Sequence, residues 1–173
     1  MISRTWILFG ALVVVALGVV AFVSLGHGVS GTPAQQLKSW VTSTHLGQDV
    51  GTLEGDGADV QRLVAARKGP AAVRTVCAAM ANSAQTFNDD LPSPDTTITQ
   101  LLARAYGLEY DAAESCYHAP SGNAPRFATF ARDRAEAANL FGEALRRVRS
   151  LTGRSVSTTT TTELPDFTST AIL

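Results

Sequence analysis

Hydrophobic residues are arranged in two ways along this chain: one unbroken apolar run near the N-terminus, then stretches in which apolar residues return every three or four positions. The run, Trp6 to Leu25 (WILFGALVVVALGVVAFVSL), contains no charged residue. Its 20 residues, at ~1.5 Å rise each, reach about 30 Å, the hydrocarbon thickness of a bilayer. A cleavable signal usually has a shorter apolar region of about 7–15 residues, so the run predicts a retained single-pass transmembrane helix. The small-x-small triplets Ser24-Leu25-Gly26 and Gly28-Val29-Ser30 offer the alternative of cleavage and secretion. Arg4 precedes the run and no Lys or Arg follows until Lys38, a bias that places residues 1–5 in the cytoplasm and the body outside it.

Beyond a spacer at 26–32 the periodic stretches predict helices. Thr32-Pro33 is a helix start, and Leu37, Trp40, Val41 and Thr44 share a face. Leu46, Val50, Leu53, Gly57, Val60 and Val64 then keep spacings of 4, 3, 4, 3 and 4 through Gly47, Gly51, Gly55 and Gly57. Each glycine costs about 1 kcal/mol relative to Ala inside a helix, which argues for two short helices and a loop; the preserved phase argues for one. The spacing predicts one long helix from Pro33 to about Lys68, bending near Gly55 to Gly57, with Gly57 allowing a neighbouring helix to approach.

A second helix starts at Pro70, with Val73, Cys77, Met80, Ala84, Phe87 and Leu91 on its stripe. Leu91-Pro92-Ser93-Pro94-Asp95 interrupts it, and Asp95 caps a third helix that buries Ile98, Leu101, Leu102, Ala105, Leu108, Ala112 and Cys116 and ends near His118. The fourth begins at Pro125 and shows Phe127, Phe130, Arg134, Ala137, Phe141, Leu145 and Val148 on one face. Arg134 interrupts that face and is expected to snorkel from its edge. From Gly153 the chain turns Thr- and Ser-rich, and residues 153–173 read as a disordered tail, plain or O-glycosylated.

The fold expected is therefore all-α: an up-down four-helix bundle over residues 33–152, following a membrane anchor at 6–25. With the anchor feeding helix one, the loop Leu91 to Asp95 and the end of helix four face the bilayer. The Ala119 to Asn123 turn is then distal and a candidate contact surface. Arg146, Arg147 and Arg149 complement the dipole of helix four and are candidates for lipid-headgroup contact.

Charge narrows the partners. The 14 basic and 15 acidic residues are interspersed, giving a net charge of −1 and no nucleic-acid footprint. The two cysteines, Cys77 and Cys116, suit an oxidising compartment and a structural disulfide, which in the chain-entropy model contributes about 3–4 kcal/mol. A straight hairpin centred on Ser93 sets Cys116 about 10 Å too far along its helix, so the bond requires helix three to be displaced or to kink, Gly107 being the obvious place. Glu114 and His118 stand i and i+4, with Asp111 a turn earlier, but no second helix completes a bundle metal set, and they read as a solvated helix end. Asp89, Asp90 and Asp95 read as turn and cap residues. With three His, no Ser-His-acid arrangement and no glycine-rich phosphate loop, the chain offers no catalytic, cofactor-binding or metal site.

The stretch Ala71 to Cys116, with a helical cysteine, LPSPD, then LLARAYGLEYDAAESC, resembles uncharacterised actinobacterial exported helical proteins with a Cys…LPxPD…Cys pattern. That resemblance implies an anchored, disulfide-bearing helical domain and no activity. The function expected is non-enzymatic: contact with cell-envelope components or a protein partner. The alternative is a small apolar-ligand carrier using an interior of Phe87, Tyr106, Tyr110, Phe127, Phe130 and Phe141; an open cavity between those rings favours the carrier, and a packed core favours the contact protein.

Overall fold

The computed structural model describes residues 31–121 and 124–159. The apolar run at Trp6 to Leu25 lies outside them, as do residues 160–173 of the tail and part of the distal turn. Among the described residues there are five helices and no strand: α1 Pro33–Ser43, α2 Leu46–Ala65, α3 Pro70–Asn88, α4 Thr96–His118 and α5 Ala124–Thr152. No described helix is long and apolar enough to cross a membrane.

The expected long first helix is two helices, and the interruption is not at the glycines. It falls at Thr44-His45, where His45 takes a left-handed φ of 55°. The cause is local. Thr42, Ser43 and Thr44 turn their hydroxyls back on the carbonyls of Lys38 and Trp40, capping off α1 with side-chain bonds of 2.9–3.1 Å. α1 itself starts with a capping box: Thr32 Oγ1 accepts from the Gln35 amide and Gln35 Oε1 from the Thr32 amide, with Pro33 next. α2 then runs unbroken through Gly47, Gly51, Gly55 and Gly57.

The remaining elements fall close to where the periodicity places them. α3, α4 and α5 pack in sequence, α2 lies on α3, and α1 lies chiefly along α5. Their stripes form one core, including Leu46, Val50, Leu53 and Val60 from α2, Val73, Cys77 and Met80 from α3, Ile98, Leu102 and Ala105 from α4, and Phe130, Ala137, Phe141 and Val148 from α5. Phe87, Leu91, Leu101, Leu108, Phe127 and Leu145, expected on the stripes, are partly buried at the core edge.

The link between α3 and α4 sets the register of the bundle. Ser93 folds it against the start of α4: its amide bonds Thr99 Oγ1 at 2.9 Å and its hydroxyl donates to the Asp95 carbonyl at 2.7 Å. Trp40 Nε1 on α1 donates to the Asp90 carbonyl at 3.2 Å. Asp95 caps α4 as expected, its Oδ1 accepting from the Ile98 amide at 2.9 Å.

Candidate functional site

Cys77 and Cys116 are buried, with Cα atoms 6.1 Å apart and their sulfurs at bonding distance. α4 is continuous through Gly107, where an added Cβ meets nothing within 4 Å. The displacement comes from the link instead. With the two cysteines level, the end of α3 is level with about Ala105, so the first two to three turns of α4 project beyond it. Gln85 and Asn88 accordingly share a groove with Ala103, Gly107 and Asp111. The seven residues from Asp89 to Asp95 span that offset.

The three arginines proposed for headgroups differ in surroundings. Arg147 is held by Asp95 in a two-pronged pair, Nε to Oδ1 and a terminal nitrogen to Oδ2, each 2.8 Å. That pairing holds the Asp95 carboxyl below its ordinary value and raises Arg147 further. Arg146 and Arg149 are exposed. At this same end of the body, Thr32, Pro33, Ala34 and Leu37 of the chain entry meet Pro94, Asp95 and Leu151 around an open groove of about 370 Å³, and Leu151 is one of the exposed large hydrophobics.

Arg134 does not snorkel. Its side chain is only 14 % exposed and points into the bundle, where Nε donates to Glu109 Oε2 at 3.2 Å, and a terminal nitrogen donates to the Leu53 carbonyl at 3.2 Å. The guanidinium occupies the space a Cβ would take at Gly57, so this glycine admits a side chain and not a neighbouring helix. Phe130 lies beneath, its ring centre 5.9 Å from the guanidinium carbon. Glu109, on α4, is 1 % exposed. Burial pushes its carboxyl up to about 7, against the pull of Arg134, with Glu54 and Asp56 adding to the rise. Burial raises Asp56 as well, and Arg134 partly offsets it. This clamp ties α2, α4 and α5 through one cation. It satisfies the guanidinium with protein acceptors, and it is a positioning device more than a reactive centre.

Five of the six rings pack in two groups, and Tyr106 and Tyr110 also line the groove beside Gln85 and Gly107. Tyr106 and Phe141 have ring centres 5.4 Å apart, Phe87 and Tyr106 6.4 Å, and Phe127 and Phe130 5.0 Å. Tyr106, Phe130 and Phe141 are buried. Tyr110 stands outside this packing, donating to Glu114 at 3.3 Å, while His118 rests edge-on to Tyr117. Among the described residues no group of three His, Cys, Asp or Glu is placed to hold a metal.

The last feature was not visible in the sequence. Residues 154–159, the start of the Thr/Ser stretch, lie with their backbone against α2, so that a Cβ at Gly47 would overlap the Ser157 carbonyl, and one at Gly51 the Thr159 carbonyl. Val156 packs against the core edge and, with Lys38, Val41, Val148 and Arg154, lines a groove of about 350 Å³. Comparison with known protein families, curated proteins and solved structures gives no match to this chain.

Proposed function

We propose that this is a non-enzymatic, membrane-anchored, extracytoplasmic helical domain that acts by contact with envelope components or a protein partner. The observation that carries the reading is the packing of the interior: five of the six rings that would line a ligand cavity pack on one another in two groups, and Tyr110 stands at a surface groove. Function on such a body lies on its surface. The buried cysteine pair supports an oxidising compartment. The apolar run Trp6 to Leu25, ending seven residues before Thr32, supports the membrane attachment. Exposed Arg146 and Arg149 are the headgroup contacts, with Arg147 serving Asp95.

The experiment is crosslinking of the full chain in its own envelope, followed by capture and identification. A specific protein or envelope polymer recovered in stoichiometric amount is the expected result. Recovery of no specific partner together with a co-purifying apolar small molecule would replace this reading by the carrier.

A further inference from the structure

Among the described residues, the outer face of the α3–α4 hairpin is lined by no other helix. Two open grooves of about 260 and 290 Å³ run into one another there, sharing Gln85 and Tyr110, and every lining residue comes from α3 or α4. One wall carries side-chain amides, the other rings and carboxylates. Asn82, Gln85 and Asn88 stand three residues apart along α3, and among the described residues their amides make no hydrogen bond. Opposite them on α4 are Tyr110, Asp111, Glu114 and Tyr117, and the small side chains of Ala78, Ala81 and Ala113 leave the depth between the walls.

The charge of this face is one-sided. Among the described residues no Lys or Arg lines either groove. Asp111 and Glu114 have no ion-pair partner among them, and Glu114 accepts only from the Tyr110 hydroxyl. Two carboxylates beside two tyrosine rings suit a cation and repel an anion. The chain itself shows a cation seated at one end. The Arg74 guanidinium lies 6.0 Å from the Tyr117 ring centre, and Arg74 Nε donates to the Tyr117 carbonyl at 3.4 Å. Tyr117 is in the last turn of α4, where the helix dipole also favours positive charge, and it is still 43 % exposed.

The amides narrow the cation to one carried by a peptide. A side-chain amide offers a donor and an acceptor together, the complement of a backbone peptide group, whereas a free ammonium has donors only and leaves half of each amide unused. Alternate side chains of an extended segment point the same way, about 6–7 Å apart. That spacing reaches two carboxylates set ~4.5 Å apart along α4 and two rings set ~10 Å apart.

We propose that the α3–α4 groove is the docking surface for an extended, Lys/Arg-bearing segment of a partner protein. Asn82, Gln85 and Asn88 bond its backbone, and Asp111, Glu114 and the tyrosines take its cations. This deepens the contact reading and rests on it for its biological use, while the groove itself is tested separately.

The probe is a fluorescent octapeptide of alternating Lys and Ala, titrated with the full chain and read by anisotropy beside the same peptide with Glu for Lys. Saturable binding of the Lys peptide alone is expected; no binding at ~1 mM overturns the proposal. Asp111→Asn with Glu114→Gln is expected to weaken binding at least tenfold. Glu54→Gln with Glu143→Gln, the same change of net charge on other helices, is expected to leave it within twofold. Equal losses in these two variants reduce the attraction to bulk charge and overturn the groove. Asn82→Ala with Gln85→Ala, at exposed positions, is expected to weaken the peptide at least fivefold and to leave spermidine binding unchanged. Undiminished peptide affinity in that variant makes the groove a site for free amines and overturns the peptide. Self-association of the chain that is lost with Asp111→Asn and Glu114→Gln makes a second copy the occupant and overturns it likewise. Peptide binding is read whether or not the envelope capture finds a partner. A captured partner whose contact survives Asp111→Asn with Glu114→Gln upholds the contact reading and overturns the groove, so the two fail separately.

Discussion

Two carboxylate–arginine pairs sit at different depths in this bundle, and the difference between them is solvent. Asp95 and Arg147 meet at the end of the body with side chains 19 % and 40 % exposed, while Glu109 and Arg134 meet inside it at 1 % and 14 %. The chemistry is the same, and the effect on the carboxyl is opposite: Asp95 is held below its ordinary value by its partner, and Glu109 is pushed up to about 7 by burial despite its partner. At the surface the hydrogen-bonded cation is the larger influence. Inside, loss of water outweighs the cation, and the pair's use is to fix three helices in place.

The largest effect should come from breaking the inner pair. Arg134→Ala leaves Glu109 buried without a cation and removes the guanidinium from the space beside Gly57. It is expected to destabilise by about 3–5 kcal/mol in urea unfolding above about pH 8, where Glu109 is ionised beside its arginine, the usual range for uncompensated buried charge. Replacing both partners at once, Glu109→Leu with Arg134→Leu, should recover most of that loss, since no charge is then stranded. If the double variant is as unstable as the single one, the clamp's contribution is packing and not charge. Gly57→Ala checks the same geometry: it forces a methyl into the guanidinium and should cost about 1–3 kcal/mol in the wild type but much less beside Arg134→Ala.

The sequence held the evidence for this clamp without declaring it. Arg134 was legible as a charge on a buried stripe. Glu109 stands four residues after Ala105 and three before Ala112, on the buried phase of α4, where Leu108 looked the more natural core residue. Opposite charges on the buried phases of two adjacent helices are a signal for an internal pair, because neither is tolerable there alone. Element ends were legible wherever the punctuation was local: Pro70, Asp95 and the proline near the start of α5. The break at Thr44-His45 was missed, the glycines being the visible weak points, because a glycine's cost is local while its compensation is tertiary. Gly47 and Gly51 are covered by the backbone of residues 157 and 159 and Gly57 by a guanidinium, which no window of sequence displays, whereas the hydroxyl run Thr42-Ser43-Thr44 was the local signal that mattered. That the disulfide needs a displaced or kinked helix was legible, but which of the two was not, since periodicity carries no information on how far a seven-residue link travels along its neighbour.

The second effect is on pH dependence, where the two pairs pull in opposite directions. A carboxyl whose folded value is raised is protonated in both states at low pH and opposes folding once the unfolded chain ionises. Glu109 therefore subtracts stability progressively from its ordinary 4.5 up to about 7, and Asp49, raised by burial to about 6, subtracts over a lower window. Asp95 is lowered, so its contribution is present above its ordinary 3.8 and is lost as pH falls through its folded value. Stability should then be greatest near pH 4–5 and fall by on the order of 1–3 kcal/mol toward about pH 7.5. Glu109→Gln should flatten the upper part of that fall and leave the share of Asp49. An unchanged slope above about pH 6 would mean that Glu109 is ionised in the folded protein over the whole range.

The smallest effect belongs to the outer pair, and two substitutions divide it. Asp95 does two jobs with the same oxygen: Oδ1 accepts from the Ile98 amide at the start of α4 and from Arg147 Nε. Asp95→Ala removes both and should cost about 1 kcal/mol, the usual loss of an N-cap, since an exposed ion pair adds little. Asp95→Asn keeps the cap acceptor and loses the charge, so its cost should be smaller and should vanish in 1 M salt, where Asp95→Ala still shows the deficit of the lost cap. If Asp95→Asn instead costs as much as Asp95→Ala at every salt concentration, the bond to Arg147 is what holds α5 to the start of α4, and the contrast between the inner and outer pairs narrows to one of pKa alone.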